Sequence, residues 1–477
     1  MQYTLDNQSN NEAKQKKEFR LPTAYTILFC ITVVIAMITQ FIPEVKNASV
    51  SDVIMAPIQG LKNSIDISLY VLLMGGFLGV VTKTGALDAG IGSVVKKLNG
   101  KELLLIPILM FIFSLGGTSY GMSEETLAFY ALVTATMMAA GFDSLTAVAT
   151  ILLGAGVGVL GSTVNPFLVA TSIDSLKSVG VVANQATVMG IGVALWLSSL
   201  SISIFFVMSY AKKVKKNKES SLLSKNEMDQ AKKAFLEGKE EVLEFTPKRK
   251  IVMALFALSF IVMILGVIPW ERFGINIFKH TAFLTGSSLG NWWFSELAMW
   301  FVLMAVIIGV VYGFREKDIV SYIIEGASEM VGVALIIGIS RGVSVIMGNT
   351  GLDAYVLQNA SSALSGMSPI LFTNVAFLIY IGLSFLIPST SGLASVSIPI
   401  FGPLAQSLGF APEIVISLLG AGCGLVNLIT PTSGVVMGGL AIAKVDYGTW
   451  VKFATKVVLS IFASSVVILS IAMMIIK

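Results

Sequence analysis

"LLGAGVGVLGSTVNP", residues 152–166, returns with little change as "LLGAGCGLVNLITP", residues 418–431. The shared LLGAG moves from Leu152 to Leu418, a displacement of 266 residues. The TG of "KTGALDA" (83–89) reappears in "NTGLDA" (349–354) at the same displacement, and "GFDS" at Gly141 meets "GFAP" at Gly409 at nearly that offset. Two independent matches at one displacement identify an internal repeat. Each copy is an apolar, glycine-rich helix that runs into a polar stop containing proline. Gly/Pro-interrupted apolar segments at corresponding places in two halves mark secondary transporters whose site lies near the bilayer midplane. Close helix packing in lipid accounts for Gly154, Gly156, Gly158, Gly420, Gly422 and Gly424. It does not account for the Ser, Thr, Asn and Pro gathered at the stops.

Composition places these breaks inside a membrane. Of 477 residues, 55% are hydrophobic and 13% are charged, against about 25% charged in ordinary soluble domains. Several apolar runs reach the roughly 20 residues a helix needs to cross a bilayer. The chain reads as an all-α polytopic membrane protein. Its net charge of +4 comes from lysines and arginines beside spans, a topology signal and not a nucleic-acid footprint. Cys30 and Cys423 sit in apolar runs and have neither metal-ligand nor disulfide spacing. The first apolar run, Leu21 to Pro43, exceeds a signal-peptide core of about 15 residues and reads as a retained span. No Walker, Rossmann, zinc or nucleophile-elbow motif appears, so no catalytic residue, metal or cofactor is assigned.

Charge sets the expected topology. Residues 1–20, with Lys14, Lys16, Lys17 and Arg20, form a cytoplasmic tail. The first repeat covers 21–211: spans near 22–43 and 67–83, a re-entrant hairpin at 102–140 entering from inside, a broken span at 144–173 and a span at 186–211. Lys96, Lys97 and Lys101 mark the inside face before the hairpin. Residues 212–249 are a cytoplasmic linker bounded by lysines, to which no chemistry is assigned. The second repeat, 250–477, opens with an extra span at 250–269 that inverts it. An external loop follows, with Trp292 and Trp293 as interface anchors, then spans at 296–314 and 322–347. An outer hairpin at 369–409, a broken span at 412–443 and a last span at 449–476 complete it. This makes nine crossings and two hairpins, with the N-terminus inside and the C-terminus outside. His280 lies in the external loop and carries no proton relay.

The candidate site follows from the breaks. Where a helix stops, free amides at new helix starts attract anions, and free carbonyls at helix ends suit cations. The hairpin tips offer Gly117, Thr118 and Ser119 (tip at 116–123) opposite Ser389, Thr390 and Ser391. The broken spans offer Ser162, Thr163 and Asn165 opposite Asn427, Thr430, Thr432 and Ser433. Any one of these hydroxyls also has the alternative of bonding back to its own helix. Glu124 and Glu125, in "GTSYGMSEETLAFY" (117–130), add adjacent carboxylates at membrane depth. An ionised carboxylate there costs about 2.5–3.5 kcal/mol if it faces lipid. One is therefore read as facing the cavity, holding a cationic substrate group or a proton. The other caps the first turn of the following helix. Arg341 is the other intramembrane charge; it pairs with a glutamate or binds a substrate carboxylate.

These motifs, with "GSTVNPF" (161–167), "GISRGVSVIMGNTG" (338–351) and "IPSTSGLASVSIPI" (387–400), resemble the YfcC branch of the DcuC-type carriers in the ion transporter superfamily. The resemblance spans roughly 20–475. It implies a scaffold domain and a transport domain working as an elevator in a homodimer. It also implies exchange of basic amino acids such as arginine and ornithine, and makes Thr118, Ser119, Asn165, Ser389, Thr390 and Thr432 site candidates. More distant relatives carry C4-dicarboxylates. Ile429-Thr430-Pro431 stands in the second break where Thr163-Val164-Asn165-Pro166 stands in the first, so a strictly symmetric ion site is not expected. Three classes compete. The paired acids favour a basic amino acid exchanger. Arg341 favours an organic anion carrier coupled to protons or sodium. An intramembrane enzyme or receptor leaves the repeat and hairpins unexplained. Substrate and coupling ion stay open at this stage.

Overall fold

The structure, a computed structural model, describes residues 24–90, 93, 101–236, 244–268, 270–387 and 389–476. The tail 1–20, Lys96, Lys97 and Lys477 lie outside the described residues. Among the described residues every regular element is helical. Eight helices are long and apolar enough to cross a membrane, and four shorter apolar helices accompany them. The chain is a multi-pass membrane protein.

The helices fall into two bundles that pack chiefly within themselves. The first contains α1 (Ala24–Thr39), α2 (Val50–Asn63) and α3 (Ile65–Lys83). The second is built from α4 (Leu105–Tyr120), α5 (Leu127–Ala139), α6 (Ser144–Leu160), α7 (Thr171–Ser178) and α8 (Gln185–Lys216). After a linker helix α9 (Lys225–Phe235), the chain returns to the first bundle with α10 (Pro247–Val267), α11 (Phe294–Tyr312) and α12 (Glu316–Thr350). The connector α13 (Leu352–Leu364) leads to α14 (Pro369–Leu386), α15 (Thr390–Ser407), α16 (Pro412–Asn427), α17 (Gly434–Ala443) and α18 (Tyr447–Ile475) of the second.

Helix α2 is absent from the spans read in the sequence. Ser49 caps it, accepting from Asp52 N at 3.1 Å while the Asp52 carboxylate accepts from Ser49 N at 2.8 Å. It lies along α12, where a Cβ on Gly60 would meet the α12 backbone. The 35 residues of α12 make a rod of roughly 50 Å at 1.5 Å per residue, longer than the roughly 30 Å hydrocarbon core. Rings of Tyr70, Phe77, Phe256, Phe260 and Phe301 fill the first bundle's centre.

In the second bundle α6 and α16 form the buried axis. Every residue from Glu413 to Val426 is buried, as are all of α6 except Gly156 and Val159. Helices apolar all round belong in such an interior. Helix α4 crosses α6 at Gly117 and Gly158, where added Cβ atoms would strike the opposing backbone. Small residues permit this approach.

Two parts depart from the sequence reading. Trp292 is no interface anchor: it is 2% exposed, covers Gly266 and donates to Ser287 O at 3.0 Å. The linker, to which the sequence reading assigned no chemistry, is docked on the second bundle. Ala231 and Phe235 of α9 pack on Ala135 and Met138 of α5. Glu227 accepts from Ser224 N at 2.7 Å and from Asp446 N, ahead of α18, at 2.8 Å. Buried Asp143 accepts from Thr146 N at 2.8 Å, and from Tyr210 and from Ser221 of the linker at 2.6 Å each. Charge-assisted bonds of this kind are about twice as strong as neutral ones.

Candidate functional site

A cavity of about 250 Å³ lies between the bundles. Its size, just below the roughly 300 Å³ of drug-sized pockets, suits one small solute. The second bundle supplies the hairpin turns, 121–126 and 389–391, and the breaks, through Asn165, Asn427, Thr432, Ser433 and Gly434. The first bundle supplies Asn63, Ser64 and Asp66 at the α2–α3 junction, Ile337 and Arg341 on α12, and Trp293 and Phe294 at the start of α11.

Of the residues singled out in the sequence, Glu124, Glu125, Asn165, Arg341, Ser389, Thr390, Ser391, Asn427, Thr432 and Ser433 line this cavity. Gly117, Thr118, Ser119, Ser162, Thr163 and Thr430 are not on its wall. Helix α4 continues through Tyr120, and the turn comes at Gly121, whose φ of 82° requires the left-handed region. That places the 117–119 segment on a packed helix. Thr118 donates to Gly161 O at 2.7 Å, and its carbonyl accepts from Thr163 N at 3.0 Å. Ser119 bonds back to Leu115 O at 2.5 Å, and Ser162 to Val159 O at 2.6 Å. Thr118 and Thr163 stitch the first break to the hairpin, while Ser119 and Ser162 serve their own helices. Asn165 is the member of that break that reaches the wall. It holds Ser162 Oγ at 2.9 Å and lies against Gly121. In the second break Thr432 shares a 2.7 Å bond with Thr430 and donates to Phe385 O at 3.2 Å. Trp450 and Tyr447 satisfy the carbonyls of Leu428 and Ile429 at 3.0 and 2.9 Å.

Two helix starts face the cavity. Ser389 caps α15 through Gly392 N at 3.2 Å, and Ser433 caps α17 through Val436 N at 3.4 Å. Each cap satisfies one of about four free amides at a helix start, which leaves positive backbone dipole on the cavity side.

The charges are unevenly shared. Glu125 is 3% exposed and its Oε2 accepts from Ser123 N at 3.0 Å. Glu124 and Arg341 have neither a hydrogen bond nor an ion pair among the described residues, where the two ion pairs are Lys83–Glu325 and Lys215–Glu102. Asp66, missed by the sequence reading, adds a third carboxylate. Its signal was a polar junction, "LKNSID" (61–66), leading into an apolar run. The Asn427 side-chain oxygen is buried without a donor. No group of His, Cys, Asp and Glu suited to a metal ion occurs among the described residues.

A family model described as "C4-dicarboxylate anaerobic carrier", DcuC, matches residues 48–474. A Haemophilus influenzae protein described as uncharacterized is 30% identical over 423 residues, covering 87% of this chain and 77% of that protein. An Escherichia coli protein described as "Putative basic amino acid antiporter YfcC" is 28% identical over 438 residues, covering 88% of this chain and 81% of that one. Among solved structures, the Alcanivorax borkumensis YdaH transporter aligns with a TM-score of 0.44 at 15% identity, covering 94% of this chain and 98% of that chain. Neisseria gonorrhoeae MtrF, described with a class of antimetabolite efflux pumps, aligns at 0.43 and 16% identity, covering 96% of each.

Proposed function

The chain belongs to the DcuC family, and from that premise we propose that this multi-pass membrane transporter exchanges basic amino acids, such as arginine and ornithine, across the cytoplasmic membrane. One observation carries the reading: two carboxylates, Asp66 and Glu124, share the cavity with a single guanidinium, Arg341, and none of the three is ion-paired among the described residues. A solute with one carboxylate and two cationic groups complements that balance. Its carboxylate faces the starts of α15 and α17. Its cationic side chain faces Glu124, and the orphan Asn427 oxygen accepts one of its N–H groups. The E. coli relative's description agrees with this reading.

The family model's description supports a second reading, a dicarboxylate held by Arg341 and the same helix starts. Counterflow in proteoliposomes separates the two. Labelled arginine and ornithine are expected to accumulate against unlabelled arginine, with succinate inert as substrate and competitor. Counterflow of succinate without that of arginine reverses the assignment.

The first bundle is read as the scaffold and the second as the transport domain of an elevator, in a homodimer. Reciprocal contacts support an inverted repeat. Gly75 meets Gly326 while Gly60 meets Arg341, and Gly76 meets Ile323 while Pro57 meets Gly342. Each pair is the other with its partners exchanged by the 266-residue displacement. Such reciprocity is the mark of a two-fold relation. Ser68 donates to Ala334 O at 3.2 Å and Ser464 to Ser198 Oγ at 3.3 Å, both across 266 residues.

Orientation has its own test. In a background with Cys30→Ser and Cys423→Ala, a cysteine at His280 is expected to react with an impermeant maleimide in intact cells. One at Lys218 is expected to react only after lysis. The opposite pattern overturns the assignment of the linker to the cytoplasm.

A further inference from the structure

We propose that Glu124 and Arg341 form a substrate-sensitive latch between the two bundles, one that resists movement of the empty carrier and makes exchange obligatory. The inference rests on the reading of the cavity as a seat for a cationic amino acid. Arg341 belongs to α12 in the first bundle, and Glu124 to the hairpin turn of the second. Both line the cavity, and neither has another partner among the described residues. They lie beyond ion-pair distance, so their attraction acts across cavity space, in the gap a substrate enters.

Alternating exposure of a cavity walled by two bundles requires those walls to shift. When the cavity is empty, the counter-charge of Glu124 is Arg341, and separating them opposes the shift. An ammonium or guanidinium group placed against Glu124 supplies a local counter-charge that travels with the second bundle. The attraction to Arg341 falls, and the loaded form is released. A neutral or anionic solute leaves the pair as it was. The latch therefore selects for positive charge at the moving step, in addition to the selection made on binding.

Glu124 is unsuited to the test, because its removal also strips the seat. Arg341 is the informative side. Proteoliposomes loaded with labelled arginine are followed into medium with and without external arginine. For the unaltered protein, efflux into arginine-free medium is expected at about one-tenth of the exchange rate or less, a barrier difference of about 1.4 kcal/mol. In Arg341→Gln, efflux without external arginine is expected to rise about tenfold. Efflux and exchange are compared at the same saturating internal arginine, so the ratio of the two is read apart from any change in affinity. Arg341→Lys is expected to restore strict exchange. An unchanged ratio of efflux to exchange in Arg341→Gln overturns the latch. So does loss of arginine binding in that variant, which would make Arg341 a substrate ligand.

The unaltered protein provides a second measurement, independent of whether a variant folds. External citrulline, an uncharged near-isostere of arginine, at concentrations that occupy the cavity, is expected not to stimulate efflux of labelled arginine, and stimulation equal to that by external arginine overturns the proposal. Absence of arginine counterflow in the unaltered protein instead removes the reading of the substrate. The two failures are thus distinct.

Discussion

Replacing Glu124 by glutamine is expected to weaken arginine binding ten- to a hundredfold while leaving the protein folded. The substitution keeps shape and removes charge. A hydrogen bond to a charged group contributes about 1.5–3 kcal/mol, and about 1.4 kcal/mol is tenfold in affinity. Glu124 has no partner among the described residues whose loss would unsettle the fold. Glu125→Gln should behave differently. That carboxylate is buried and holds Ser123 N across the hairpin turn. Its replacement is expected to lower thermal stability, with little change in affinity for the protein that survives. Titration of both purified variants with arginine, beside their melting curves in detergent, checks the division of labour. Wild-type affinity in Glu124→Gln would remove the main support for a cationic substrate.

Gly158→Val is expected to cost about 3 kcal/mol or more, at the upper end of overpacking penalties, and to yield little folded protein. A Cβ at this position would strike Ser114 O and lie 2.8 Å from Thr118 N and 2.9 Å from Gly117 Cα. All three are backbone atoms of α4, so no side chain can swing aside. The damage would spread to the cavity, because Thr118 carries the bonds that stitch the first break to the hairpin. Gly190→Ala is the matched control. It lies in α8, with nothing within 4 Å of the added carbon, and helix propensity predicts a gain of about 0.5–1 kcal/mol. Melting temperatures of the two variants in one detergent test the contrast. Equal stability would mean that α4 and α6 do not cross as described.

The breaks after α6 and α16 were legible because backbone interrupted inside a membrane protein must be satisfied within the protein. The residues that do this, Ser162, Asn165, Thr432 and Ser433, stand out against apolar neighbours. The tip of the first hairpin was read a few residues early. "GGTSYG" (116–121) has turn composition, yet its glycines serve a helix crossing and the turn begins at Gly121. Helix α2 escaped notice because Pro57, Gly60 and its charges dilute an apolar pattern whose buried residues are just Ala56 and Gly60. With α2 unseen, Asp66 fell just outside the span read near 67–83. The docking of the linker was illegible for another reason. The partners of Glu227 and Asp143 are backbone amides and hydroxyls remote in sequence, and no spacing rule announces such contacts.

The hydrogen bonds that join Ser68 to Ala334 and Ser464 to Ser198 carry a consequence for ancestry. When the span between two bonded residues equals the period of a duplication, each residue faces its own copy. On the inverted-repeat reading proposed above, a half-length ancestor would have made the same contacts with a second molecule of itself, inserted upside down. Any mutation at those sites would then have changed both sides of the interface at once, and fusion into one gene would have lifted that restriction. Serine faces alanine at one of these positions and serine faces serine at the other. The repeat would pair Arg341 with Gly75, whose lack of a side chain lets α3 and α12 touch.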